Sequence, residues 1–278
     1  MLKTRVITAV TLLAGLLVVL FFLPTPGWLG FCALICALAA WEWGGLAGWG
    51  RKARVIYGAV LWCLCFAGGV ILLSPHASFP LMLFFFAWVF WLLVVPLWLS
   101  GKWPLMRSWW SAVLAGVVVL IPPALVFFAL RELFGPWFLL SACALVWVAD
   151  IAAYFSGRAI GGRKLAPSIS PGKTWAGAIG AVIGVLVYCN VVWFAMDVDR
   201  MVLPAGADRE GILSVLLPQA VFIALAAWSI IGDLFESLLK RQAGVKDSSN
   251  LLPGHGGILD RIDSLLPTLP LIAIFLVK

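Results

Sequence analysis

Charge is what this sequence most lacks. Of its 278 residues only 11% are charged, 12 are acidic and 2 are histidine. A soluble domain carries about 25% charged and about 45–50% apolar residues, whereas this chain is 64% hydrophobic. A soluble fold this apolar could not cover its own surface, so lipid must be the solvent for most of the chain. Histidine is too scarce for an HExxH pair or a His/Cys cluster, which argues against a zinc site. No CxxC occurs. The six cysteines (Cys32, Cys36, Cys63, Cys65, Cys143 and Cys189) all lie within apolar runs, as buried reduced thiols do. The net charge is +7, yet no tract interleaves basic and aromatic residues, so nucleic acid is not an expected partner. There is no internal repeat, no low-complexity tract and no linker dividing the chain.

What remains is a series of apolar runs, each about long enough for a membrane helix. Nine are expected, at 5–23, 28–48, 55–73, 80–99, 109–130, 136–155, 175–196, 212–236 and 264–277. The expected fold is therefore an all-α polytopic membrane protein of about nine transmembrane helices. The first run follows Lys3 and Arg5 and ends at Pro24-Thr-Pro-Gly without a small-residue cleavage site, so it reads as an uncleaved span. Trp28, Trp41, Trp49, Trp103, Trp109, Trp137 and Trp175 fall at run ends, where indole commonly sits at the membrane interface. With the N-terminus placed in the cytoplasm, 15 of the 19 Lys and Arg residues fall inside, among them Arg51, Lys102 and Arg107. The outside retains Arg131, Arg200, Arg209 and Lys278, and its longest loop is Asp197 to Glu210. The positive-inside rule selects this topology. Two regions are expected: residues 1–135 with spans one to five, and 136–278 with the cytoplasmic loops 156–174 and 237–263.

Those two loops concentrate the chemistry. On span eight, Asp233, Ser237, Lys240 and Arg241 are spaced i, i+4, i+7 and i+8, one helical face. A snorkelling Lys-Arg pair with Asp233 as counter-ion is the plain explanation, but an acid within a span is costly unless it is paired or functional. Lys246-Asp247 and Pro253-Gly-His255-Gly256-Gly257-Ile-Leu-Asp260-Arg261-Ile-Asp263 follow. Asp260 and Asp263 are one helical turn apart, and two close carboxylates repel unless a cation lies between them. Mg²⁺ suits such oxygen ligands together with substrate phosphates. His255 between glycines implies a backbone that approaches something closely.

The other loop begins with Asp150, Tyr154, Gly157 and Arg158 on one face of span six and continues to Ser170-Pro-Gly-Lys173-Thr174. Gly172-Lys173-Thr174 is not a P-loop: Pro167 stands where the first glycine belongs, and a membrane helix precedes it instead of a strand. Hydroxyls, glycine amides, a lysine and a helix start nonetheless make a phosphate cradle. Cations for phosphates and carboxylates for Mg²⁺ at one interface suggest phosphoryl or nucleotidyl transfer to a lipid.

The run Ser237-x-x-Lys240-Arg241-x4-Lys246-Asp247-x-Ser249-x2-Leu252-Pro253-x-His255-Gly256-Gly257-Ile258-x-Asp260-Arg261-Ile262-Asp263 resembles the signature of the phosphatidate cytidylyltransferases, the CDP-diacylglycerol synthases. Residues 150–175 resemble that family's second motif, departing from it at Gly172 and, just beyond, at Ala176. The resemblance implies an enzyme converting CTP and phosphatidate to CDP-diacylglycerol and pyrophosphate in phospholipid synthesis. It also implies Mg²⁺, with K⁺ as a candidate second cation, a homodimer, and a site on the cytoplasmic face of a prokaryotic plasma (inner) membrane. On this reading Asp233, Asp260 and Asp263 hold the metal, and Lys240, Arg241, Lys246 and Arg261 hold phosphates. Ser170, Lys173 and Thr174 form a second wall, with Asp150, Tyr154, Arg158 and Ser237 also binding substrate. Asp247 is either a further ligand or the partner of Lys246. His255 either meets a phosphate or orders the Gly256-Gly257 turn. The rivals are a lipid kinase or polyprenol transferase, which share the acid-metal logic, and a secondary transporter, against which stand the missing inverted repeat and the clustering of acids at one face.

Overall fold

The computed structural model describes residues 2–74, 81–104, 108–196 and 212–273. The expected outer loop Asp197 to Glu210, Arg107 and the last residues of span nine lie outside them, as do the side chains of Lys3 and Arg5. In lipid every backbone polar group must be satisfied within the protein, and helices do this locally. The described chain accordingly runs through α1 (Leu2–Phe22), α2 (Thr25–Leu46), α3 (Arg51–Leu72), α4 (Leu81–Val89) and α5 (Val95–Gly101). It continues through α6 (Trp109–Phe134), α7 (Pro136–Ile160), a hairpin of β1 (Lys164–Ala166) and β2 (Ser170–Thr174), α8 (Trp175–Met196) and α9 (Ile212–Gln242). Short α10 (Leu259–Ile262) and α11 (Leu265–Ile272) end it. A π-helical turn, Phe90–Val94, joins α4 to α5 within one span. Seven described helices are long and apolar enough to cross a membrane, and Ile7–Phe22 of α1 adds a shorter apolar stretch. This is an all-α polytopic membrane protein with a minimal sheet.

The described part of span nine is the eight-residue α11, roughly 12 Å long, packed inside the protein against α4, α6 and α9, and the last residues of that span lie outside the described ones. Two prolines and Thr268, whose hydroxyl donates to the Ser264 carbonyl, stand in a helix whose surroundings are protein.

α2 and α6 form the centre. Trp28, Trp43 and Phe128 are wholly enclosed between them and their neighbours. Trp43 donates its indole N–H to the Ala112 carbonyl at 2.9 Å and Trp28 donates to that of Phe128 at 3.4 Å, so α2 and α6 run antiparallel. Of the tryptophans expected at the interface, Trp103, Trp109, Trp137 and Trp175 are exposed, whereas Trp28 and Trp49 are buried core residues. Trp41 supports the Arg54 guanidinium 3.6 Å above its ring. All six cysteines are free, and Cys63 alone among them is exposed, on an apolar helix face. α2 ends in a Schellman turn: Gly48 has φ +72°, its N–H meets the Gly45 carbonyl, and Trp49 N–H meets that of Gly44.

α7 and α8 touch backbone to backbone. A Cβ on Gly177 would lie 2.9 Å from the Ala153 carbonyl oxygen, and one on Gly180 would overlap Ser156 Oγ at 1.9 Å. Small residues at this spacing let membrane helices approach closely. The hairpin linking them therefore has to fold tightly at one end of the bundle. Gly161 and Gly162, with φ +67° and +85°, turn the chain into it.

Candidate active site

The ends of α7, α8 and α9, the hairpin and the segment 243–263 enclose a cavity of about 870 Å³. Its walls carry most of the residues singled out by sequence. α7 supplies Asp150, Tyr154 and Arg158, and β2 supplies Lys173 and Thr174. α9 supplies Asp233, Ser237, Lys240 and Arg241, and the following segment supplies Lys246, Asp247, Asp260, Arg261 and Asp263. Lys164, counted by sequence only as an inside charge, is also in the wall. Ser170, His255, Gly256 and Gly257 are not.

The carboxylates differ in how they are held. Asp233 Oδ2 pairs with Lys173 Nζ at 2.7 Å, and its Oδ1 accepts from the Ser237 hydroxyl at 3.2 Å. Asp260 is the most heavily bonded. Its Oδ1 meets Lys240 Nζ at 2.5 Å, and its Oδ2 accepts from Ser248 N–H, Ser248 Oγ and Gly257 N–H, each at 2.8 Å. Burial alone would raise its pKa. The Lys240, Gly257 and Ser248 hydrogen bonds outweigh that and keep Asp260 below the usual carboxylate range. Asp263 is pushed well above that range, first by burial and then by the charges of Asp233 and Glu236, with Asp150 adding to them, while a hydrogen bond from Ser264 N–H at 2.8 Å opposes this. Asp150 has Asp233, Lys173 and Arg261 as electrostatic neighbours.

Lys240 sits between two acids, with Glu236 Oε2 at 2.6 Å on the other side from Asp260. Thr174 Oγ1 accepts from Gly177 N–H at 3.1 Å and so caps the start of α8 while facing the cavity. On the rim, Arg158 donates to the Tyr154 hydroxyl at 2.9 Å, and Arg241 reaches toward the Val245 carbonyl at 3.4 Å. His255 lies in a tight turn outside the wall. Its N–H meets the Leu252 carbonyl, its Nδ1 is buried with no hydrogen-bond partner among the described residues, and Gly254 and Gly256 have φ +76° and +82°. Ser170 pairs with Ala166 in the hairpin.

Among the described residues no three His, Cys or carboxylate side chains enclose an ion as they stand. Lysine ammoniums occupy one oxygen of Asp233 and one of Asp260. The donor set is all oxygen, and Asp150, Asp233 and Asp263 crowd one another. Crowded carboxylates of this kind favour a hard cation such as Mg²⁺.

Two acids escape sequence reading. Glu236 stands in the motif region but shows no partner by spacing other than Lys240. Glu42, on α2, is fully buried and accepts four hydrogen bonds from the segment 248–259. One signal could have found it: a lone acid within an apolar run is costly unless it is paired or functional, and that holds for Glu42 as for Asp233.

A cavity at one end of an apolar helix bundle that sets lysines and arginines beside clustered carboxylates has the chemistry of a phosphate-handling transferase. The chain belongs to the cytidylyltransferase family, whose sequence model matches residues 3–278. The phosphatidate cytidylyltransferase of Pseudomonas aeruginosa is 38% identical over 283 residues, covering 99% of this chain and 97% of that protein. The phosphatidate cytidylyltransferases of Haemophilus influenzae and Brucella melitensis are 35% and 36% identical, each across 99% of this chain and 98% and 93% of their own lengths. The protein is thus a membrane nucleotidyltransferase, as the signature at 237–263 implied.

Proposed function

We propose that the protein transfers a cytidylyl group from CTP to phosphatidate, yielding CDP-diacylglycerol and pyrophosphate. The observation that carries this reading is the cavity itself, with cations and carboxylates together at one end of the bundle. The names of its full-length relatives support the substrate pair.

The phosphate of phosphatidate is a monoester with a second pKa of about 6, so it is largely dianionic at neutral pH and needs no strong base. One of its oxygens attacks the α-phosphorus of CTP. A new P–O bond forms, the bond from the α-phosphorus to the bridging oxygen breaks, and pyrophosphate leaves with that oxygen and its electron pair. Arg158, Lys164, Arg241, Lys246 and Arg261 hold the phosphate oxygens and offset the charge that accumulates. Lys240, fixed by Glu236 and Asp260, holds its ammonium at the wall. Asp233, Asp260 and Asp263 are the proposed Mg²⁺ ligands, with K⁺ as a candidate second cation. For Asp260 this requires Lys240 to yield Oδ1, or the Ser248 and Gly257 donors to make room at Oδ2. When bound, Mg²⁺ supplies charge neutralisation on the CTP phosphates.

The positive-inside count supports putting this end in the cytoplasm with the N-terminus, where CTP is available, and the bacterial relatives support the inner membrane of a prokaryote. A homodimer belongs to the same reading. The test uses purified protein in detergent with cytidine-labelled CTP. Label should enter chloroform-soluble lipid only with both phosphatidate and Mg²⁺ present, and chelation should stop it. Label-free lipid under all conditions would refute the reading.

A further inference from the structure

We infer that Glu42 is a positioning residue for the transfer reaction: from the central helix α2 it fixes the segment that carries Asp260 and Asp263. This rests on the function proposed above. Glu42 is 0% exposed and each of its oxygens takes two donors. Oε1 accepts from Ser249 Oγ at 2.6 Å and Ile258 N–H at 2.9 Å. Oε2 accepts from Leu259 N–H at 2.7 Å and Ser248 Oγ at 3.1 Å.

Ser248 links Glu42 to the site. Its hydroxyl also lies 2.8 Å from Asp260 Oδ2, and its own N–H donates to that same oxygen. One hydroxyl proton therefore serves two carboxylates, and Glu42 affects how firmly Asp260 is held. The two amides that Glu42 takes begin the turn of helix from which Asp260 and then Asp263 project. Space is closed as well. A Cβ on Gly257 would lie 2.0 Å from Ser248 Oγ and 2.5 Å from Glu42 Oε1, so only glycine lets the backbone pass between them. α2 itself is held rigidly, because Trp43, the next residue, is buried and bonded to α6. A rigid carboxylate behind the proposed metal-binding carboxylates sets their orientation, as outer partners do around ligand groups.

Arg158, Lys164, Arg241 and Lys246 lie on α7, β1, the end of α9 and before Ser248, outside the helical turn that Glu42 fixes; Arg261 shares that turn, and the four hydrogen bonds of Glu42 go to none of these cations. Its loss should therefore appear in kcat more than in KM. The experiment compares Glu42→Gln, Ser248→Ala and their double variant with the wild type in full-length detergent-purified protein. Thermal melting and hydrogen exchange are measured beside the kinetics. Glu132→Gln, a carboxylate on α6 at the opposite end of the bundle, is the control.

Glu42→Gln should lower kcat about 10–100-fold with less than about a threefold change in KM for CTP, and Ser248→Ala should lower kcat in the same direction. The double variant should lose no more than about the larger single loss, because both changes interrupt one path. Exchange of the Ile258 and Leu259 amides should accelerate in Glu42→Gln, while the control keeps wild-type kcat. A folded Glu42→Gln with wild-type kcat, or losses that multiply in the double variant, overturns the inference. Should Glu42→Gln not fold, Ser248→Ala decides, and wild-type kcat there overturns it equally. A wild-type protein without cytidylyl transfer would instead sink the proposed function, and the amide exchange would still report whether Glu42 holds the segment.

Discussion

The two ends of the bundle handle charge in opposite ways. At the end where α1 turns into α2, Glu132 accepts from Thr25 at 2.7 Å and pairs with Arg131 at 2.9 Å. Arg131 gives its remaining nitrogens to the carbonyls of Leu20 and Leu23 and lies 5.2 Å from the Trp28 ring. One acid and one base close on each other there. At the other end Asp150, Asp233 and Asp263 crowd together, with Glu236 close behind, and arginines and lysines open into a cavity. Charges that satisfy each other hold helices together, whereas crowded like charges are retained at some expense of stability for what they bind.

Breaking that contrast at the cavity should have the largest effect. Asp263→Asn should lower the transfer rate by about 10²–10³-fold, as losing a group that acts on developing charge typically does. Its melting temperature should be at or above that of wild type, because a crowded buried charge is relieved; kinetics with a parallel thermal melt check both. Gly180→Ala is expected next. Its Cβ would meet Ser156 Oγ at 1.9 Å and force α7 from α8. Overpacking of this kind costs about 1–3 kcal/mol, read as a lower melting temperature together with reduced activity, since Asp150 rides on α7 and Lys173 on the strand that leads into α8. Arg158→Gln, on the rim, should raise the KM for a phosphate substrate several-fold with a smaller change in kcat. The smallest effect belongs to the closed end. Glu132→Gln should reduce stability by about 1 kcal/mol and leave kcat unchanged. If activity fell there and stability fell at Asp263, the contrast between the ends would be reversed.

How legible this was in the sequence depended on distance along the chain. Asp233, Ser237, Lys240 and Arg241 share a helix face and were found by spacing, and the cavity wall takes in all four. The segment after them follows within a few turns, so Lys246, Asp260 and Asp263 were within reach of the same reasoning. Glu42 was not, because its partner Ser248 is 206 positions away and nothing beside it on α2 is polar enough to mark a site. The hairpin was hidden for another reason. Ser170-Pro-Gly-Lys173-Thr174 has turn composition, but the close approach of α7 and α8 presses it into a strand. Span nine shows the limit of composition, since a helix buried in protein and one facing lipid are equally apolar, and the described α11 is largely buried.

The central claim is that this end of the bundle transfers cytidylyl, and parallel reactions with α-labelled and γ-labelled CTP test it most directly. The expected result is α-label in the lipid, equal in amount to γ-label released as pyrophosphate. Label from the γ position in the lipid, with CDP released, would identify a kinase and contradict the account.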